Sequence, residues 1–252
     1  MNKLAAILFA ALVVGSVATA RDLSAIRKDG TILIGTEGAF APFNYFEGKT
    51  LTGFEIDVAN AVVAKMNLKP KWLTLPFDSL LAALNQDRFD FVIASHGITA
   101  ERAKAVDFSN PHYCTGGVIV YKGAGPKTAA DLTGKVVAVQ VGTSYLDHVQ
   151  QIKGIKDIKT FPKDTDALQN LMSGRVDAWV SDRFVAMDAI KANKGAGLKA
   201  GELIFQEKIA MAVKKDNKSV LDALNVALAA VVKDGTYKKI SEKWFKTDIG
   251  CK

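Results

Sequence analysis

The sequence predicts an α/β protein built as two lobes, and three observations carry that expectation. Apolar strand-like runs alternate with helical spacing through most of the chain. The alternation breaks after Pro111 and then starts again, so two halves repeat one architecture without obvious sequence identity. Once a leader is set aside, about 230 residues remain, more than one compact core needs and enough for two. At 49% hydrophobic residues the chain can bury both.

The expected leader is 1–20. Lys3 gives a positive start, an almost unbroken apolar run follows, and Ala18-Thr19-Ala20 has the small-x-small form of a cleavage site. The run is short for a bilayer span, although an uncleaved short anchor is the alternative. Cleavage lowers the formal charge from +7 to +6. The remaining lysines are scattered as singles and pairs rather than clustered with aromatics, which argues against nucleic acid as a partner. Cys114 and Cys251 suit either one disulfide in an oxidising compartment or two partly buried thiols. His96, His112 and His148 lack metal-ligand spacing, so no metal and no cofactor is expected.

Each element follows in order. A strand at 31–35 runs into a loop punctuated by Ala41-Pro42, and Gly53 breaks the chain before a helix at 54–66. A strand at 71–75 precedes an Asp78-capped helix bearing Leu80, Leu81 and Leu84. The buried strand from Phe89 then ends in a turn, where Thr99 caps a helix carrying Arg102. After Pro111 come strands at 116–121 and 136–141, a turn at 142–144 and a helix to about 152. A strand at 158–161, an Asp164-capped helix closed by Gly174, and a buried strand ending at Ser181-Asp182 complete the second cycle. Further expectations are a strand at 209–213, an amphipathic helix at 220–232 and a shorter helix at 237–245.

In open α/β sheets ligands lie beyond the carboxyl ends of the strands. Glu37, Ser95, Arg102, Ser144 and Asp182 all fall at such ends. A guanidinium beside unpaired helix N–H groups suits a carboxylate, so the cleft between the lobes is expected to hold a small anion-bearing molecule.

At these residues the chain resembles the polar amino-acid solute-binding proteins of bacterial ABC importers. The matching runs include Gly35-Thr36-Glu37, Gly53-Phe54-Glu55-Ile56-Asp57, Phe77-Asp78-Ser79-Leu80, Ile98-Thr99-Ala100-Glu101-Arg102, Gly174-Arg175-Val176-Asp177-Ala178 and Asp234-Gly235-Thr236-Tyr237, in family order. The resemblance implies a Venus-flytrap fold with two crossover strands, lobe 1 being 21–113 and 214–252 and lobe 2 being 114–213. It implies a monomer in the periplasm, with an L-amino acid and a membrane permease as partners, and no enzymatic activity.

Residue by residue, the resemblance implies that Arg102 takes the ligand α-carboxylate, with N–H groups near Gly97 and Ser144. Asp182 would meet the α-ammonium beside Ser95 and the Ala94 carbonyl. Phe40 and Phe77 would flank the side chain, and Glu37 would face its far end. This points to arginine or lysine, with a glutamine- or cystine-like ligand as the rival. Gly97 departs from the family's usual Ser or Thr, and His96 from a usually apolar residue. Plainer readings stand beside these. Arg102 could pair with Glu101 or Asp107 on the surface, Asp182 could be a strand-end cap, Glu37 a solvated acid, and both phenylalanines ordinary core. A dehydratase on the same scaffold would need a general acid, for which Glu37 and His96 are the candidates.

Overall fold

The computed structural model describes residues 20–251, so all but the last position of the expected leader lies outside the described residues. The chain begins with α1 (Leu23–Asp29), whose cap Asp22 accepts from Ala25 N, and β1 (Thr31–Thr36). A small antiparallel sheet follows, β2 (Ala39–Phe40), β3 (Asn44–Glu47) and β4 (Thr50–Thr52). Next come α2 (Phe54–Lys65), β5 (Lys69–Thr74), α3 (Leu80–Asn85), β6 (Phe91–Val92), α4 (Ala100–Ala105) and β7 (Val106–Phe108). On α2, Phe54, Val58, Val62 and the neighbouring Ala59 and Val63 form one buried stripe, each large apolar side chain contributing about 1.5–3 kcal/mol of burial.

The chain then crosses to the second lobe on β8 (Tyr113–Lys122) and continues through β9 (Val136–Gln140), α5 (Ser144–Gln151), β10 (Asp157–Phe161), α6 (Asp164–Met172), β11 (Ala178–Asp182) and α7 (Arg183–Ala192). It returns on β12 (Leu198–Ile209), enters the first lobe as β13 (Ala212–Lys214), and closes with α8 (Lys218–Lys233) and α9 (Thr236–Phe245).

The lobe sheets run β5-β1-β6-β13-β7 and β10-β9-β11-β8-β12. In each, a parallel strand sits between two parallel neighbours reached from opposite sides: β1 between β5 and β6, β9 between β10 and β11. The carboxyl ends of those strands are therefore switch points where loops part and leave a crevice.

Between the lobes, β8 and β12 pair antiparallel down to Tyr113↔Ile209, so two strands form the crossing. Cys114 and Cys251 are disulfide-bonded there across 137 positions, tying the C-terminal tail to the crossover. Behind the crossing, Phe43 stacks on Tyr113 with ring centroids 4.7 Å apart, and Phe245 meets Phe184 of α7 at 5.0 Å.

Several elements differ from expectation. The strand expected at 209–213 is the end of β12 and the start of β13, and Ala212 and Val213 pair into the first lobe's sheet. The return crossing thus lies just ahead of the expected boundary at 213. The helices α1 and α7 and most of β12 carried no signal strong enough to read. Asp78 makes no cap, because a 3₁₀ turn (Phe77–Ser79) leads directly into α3. Asp164 is not a cap either: Lys163 holds that position, and the Asp164 carboxylate turns inward to accept from Trp179 Nε1 at 2.9 Å and Ser181 Oγ at 2.8 Å. The buried indole needs an acceptor, and that need outweighs capping.

Candidate functional site

The strand ends of the two lobes face each other, and polar groups meet across the junction. Gln140 Nε2, at the end of β9, donates to Glu37 Oε1, just past β1, at 2.7 Å. Arg102 Nη2 donates to the Gly142 carbonyl at 2.9 Å. The pocket between the lobes that is lined by Glu37, Phe40, Phe77, Ala94, Gln140 and Tyr145 among others measures about 10 Å³. That is room for about one water, so an amino acid enters only if the lobes part. The β8–β12 crossing is the hinge on which they would do so.

One end of this cleft is cationic. Thr99 caps α4 by accepting from Arg102 N, which fixes the first turn and aims the guanidinium back over the preceding loop. Arg102 Nη1 donates to the Gly97 carbonyl at 2.9 Å, and the group lies 5.6 Å from the Phe77 ring centroid. The surface alternative for Arg102 is not what forms: Glu101 pairs with Lys104 and Asp107 with Lys215. Opposite, Thr143 rather than Ser144 is the cap of α5, leaving the Ser144 hydroxyl free to donate elsewhere. Its acceptor is Glu207 Oε2, at 2.7 Å.

The other end is acidic. Glu37 is buried, and burial pushes its carboxyl up to about 8 despite the Gln140 hydrogen bond. Phe40 and Phe77 are buried in the lining of this pocket, Phe40 stacked on Phe43 and Phe77 on the His96 ring at 4.4 Å. Each is thus core on one face while lining the cleft.

Asp182 is completely buried at the head of α7, where Oδ1 accepts from Phe184 N and Val185 N and Oδ2 from Thr115 Oγ1. Burial still raises it to about 7. The capping reading therefore describes it, and Tyr145 Oη at 3.5 Å is its link to the cleft lining. Ser95, with φ 56°, spends both its N–H and its hydroxyl on Glu55. Ala94 lines the cleft between these groups.

Glu55, Gln140, Tyr145 and Glu207 were missed by reading the sequence as separate site candidates. Glu55 is a fully buried hub that also accepts from Asn44 Nδ2 at 2.8 Å and lies 3.0 Å from His112 Nε2. His112 is thus structural, not solvent-facing. His96 is buried too, and desolvation plus the nearby Arg102 charge hold its pKa well below 6.5. Both causes favour the uncharged ring over an imidazolium acid. His148 bonds the Ser144 carbonyl through Nδ1 and stacks on Phe205.

The profile of the bacterial extracellular solute-binding proteins, family 3, matches residues 32–247. The chain belongs to that family. Among named relatives, the L-cystine-binding protein TcyJ of Escherichia coli (strain K12) is 36% identical over 255 residues, spanning 99% of this chain and 95% of the relative. An ancestral arginine-binding protein bound to arginine superposes with a TM-score of 0.83 at 41% identity, covering 86% of this chain and 98% of that one. The ancestral amino acid-binding protein AncCDT-1, a precursor of cyclohexadienyl dehydratase, gives 0.83 at 33% identity, with 88% and 98% covered. These neighbours share the Venus-flytrap architecture of this solute-binding protein. No helix among its described residues is long and apolar enough to cross a membrane.

Proposed function

We propose that this solute-binding protein is the periplasmic receptor of an amino-acid ABC importer, acts as a monomer, and closes on an L-amino acid that it presents to a membrane permease. The observation that carries this is the pairing of a cationic end, Arg102 with Gly97 and Ser144, and an acidic end, Glu37, across one cleft between two lobes. Arg102 takes the α-carboxylate, a charge-assisted contact worth ~1.5–3 kcal/mol. Asp182, which caps α7 and reaches the cleft lining through Tyr145, is assigned the α-ammonium together with Ser95 and the Ala94 carbonyl. Phe40 and Phe77 flank the side chain.

The preferred ligand is basic, arginine or lysine. Three acids, Glu37, Asp182 and Glu207, line or adjoin a cleft in which Arg102 is already assigned to the carboxylate. A guanidinium or ammonium beside Glu37 relieves the cost of burying that carboxylate, and two aromatic faces favour a cation. The named relatives keep a cystine- or glutamine-like ligand as the rival, since Glu37 also accepts from an amide, as it does from Gln140.

A second, catalytic reading has one observation in its favour: a carboxyl held protonated at neutral pH, as Glu37 is, serves as a general acid. The buried His96, whose pKa is held well below its ordinary value, counts against it. Mass spectrometry of the small molecule released on unfolding the purified protein tests the proposal. Arginine or lysine is the expected release; a cyclic amino or keto acid, with turnover of arogenate or prephenate by the protein, would favour the enzyme instead.

A further inference from the structure

The seat assigned to the ligand carboxylate is filled by a carboxylate of the protein itself. Glu207 lies on the returning strand β12, opposite Thr115 in the register with β8. Its Oε2 accepts from Ser144 Oγ at 2.7 Å at the first turn of α5, where helix N–H groups favour a negative charge. The same oxygen abuts Gly97 so closely that an added Cβ there would collide with it. That Cβ position is also 3.6 Å from Arg102 Nη1. Glu207 Oε1 is shut away from water without a hydrogen-bond partner, the mark of a carboxylate held in a place built for one better satisfied.

Gly97 does not owe its identity to backbone conformation, because it lies outside the positive-φ glycines. Space is what it supplies. The lost side chain at 97 and the inward carboxylate at 207 are two halves of one arrangement.

We propose that Glu207 is an internal competitor for the ligand's carboxylate. Seated between Ser144, Gly97 and Arg102 it holds the lobes together, and an incoming amino acid binds by turning it out. Arg102 itself donates to the Gly97 and Gly142 carbonyls, and Glu207 is held by Ser144; a ligand carboxylate set on Ser144 would press against the Glu207 carboxylate, and like charges that close repel strongly. An exit exists: a groove of about 390 Å³ lined by Thr99, His148, Phe205, Lys208 and Glu207 itself opens beside the seat. Apparent affinity is then the intrinsic affinity reduced by the fraction of molecules with Glu207 turned out. The inference rests on the assignment of the ligand carboxylate to Arg102 and Ser144.

Four variants test it by calorimetry with L-arginine and L-cystine, on protein unfolded and refolded to strip carried ligand. Glu207→Ala and Glu207→Gln tighten binding, the alanine variant by about tenfold or more, in proportion to the population set free. Gly97→Ser does the same by displacing the flexible end of Glu207, and the double variant Gly97→Ser/Glu207→Ala gains no more than either change alone. Unchanged or weaker binding in Glu207→Ala overturns the inference and makes Glu207 a bystander or a ligand contact. If no amino acid binds any form, the reading of the cleft fails, and the seat is judged by small-angle scattering of the stripped protein. Glu207→Ala must then increase the radius of gyration; an unchanged value overturns the inference as well.

Discussion

The Gln140 side-chain amide donates to the Glu37 carboxyl at 2.7 Å, joining a strand end of one lobe to a strand end of the other. Burial is the largest influence on Glu37 and holds its pKa at about 8, with the buried Asp164 adding a smaller push. The acid therefore enters binding at pH 7 largely protonated. A ligand guanidinium placed beside it pulls that pKa down and expels the proton. Arginine titrations at pH 7 in buffers of different ionisation enthalpy should show about one proton released per ligand bound. Glu37→Gln should abolish the release and weaken arginine by ~10–100-fold, the value of one charged hydrogen bond, while sparing glutamine. Proton release that persists in Glu37→Gln assigns the effect to another group.

Stability should fall as pH rises through neutrality. Glu37 at about 8, and Asp164 and Asp182 at about 7, are all raised by burial above their ordinary values. The folded state thus keeps protons that the unfolded chain gives up from about pH 4 upward. Their stabilising contribution is complete below the unfolded pKa and is lost as pH climbs through the folded one. Asp107, with its pKa lowered, acts only on the acid side of this window. Thermal unfolding from pH 5 to 8.5 should show a declining Tm, and Asp164→Asn should flatten that decline, gaining about 5 °C at pH 8.5 relative to its effect at pH 5. A Tm that rises with pH over this range contradicts the assignment.

The Cys114–Cys251 bond closes a loop spanning 137 positions and fixes the tail against the crossover strand. Constraining the unfolded chain this way is worth about 2–5 kcal/mol. Cys251→Ser, or reduction, should lower Tm by roughly 5–15 °C and leave the ligand affinity within about threefold, because neither cysteine touches the Glu37–Phe77 cavity. A large loss of affinity in the folded variant would mean that the bond also sets the hinge.

Much of this architecture is legible where a segment carries its own period. The helices at α2 and α8 announce themselves by apolar residues three and four apart, and β1, β9 and β11 by short apolar runs between turn signals. The places of Arg102 and Ser144 in the first turns of α4 and α5 were legible because helix starts have local chemistry. Glu207 was not, since its place beside Gly97 depends on the register of β12 against β8 and on the meeting of two lobes. Asp164 misled for the complementary reason: its position says cap, while Trp179, buried behind it, demands an acceptor. Asp182 shows the two demands coinciding, a cap by hydrogen bonding and a cleft neighbour through Tyr145.

The claim that an amino acid is gripped by its carboxylate between the lobes meets its most direct test in calorimetry of the stripped protein and of Arg102→Ala against the twenty amino acids. Arginine or lysine should bind at micromolar concentration or tighter, about −8 kcal/mol or better, and at least tenfold more weakly in a folded Arg102→Ala. Binding of no amino acid by the intact protein, or equal affinity with and without the guanidinium, would contradict it.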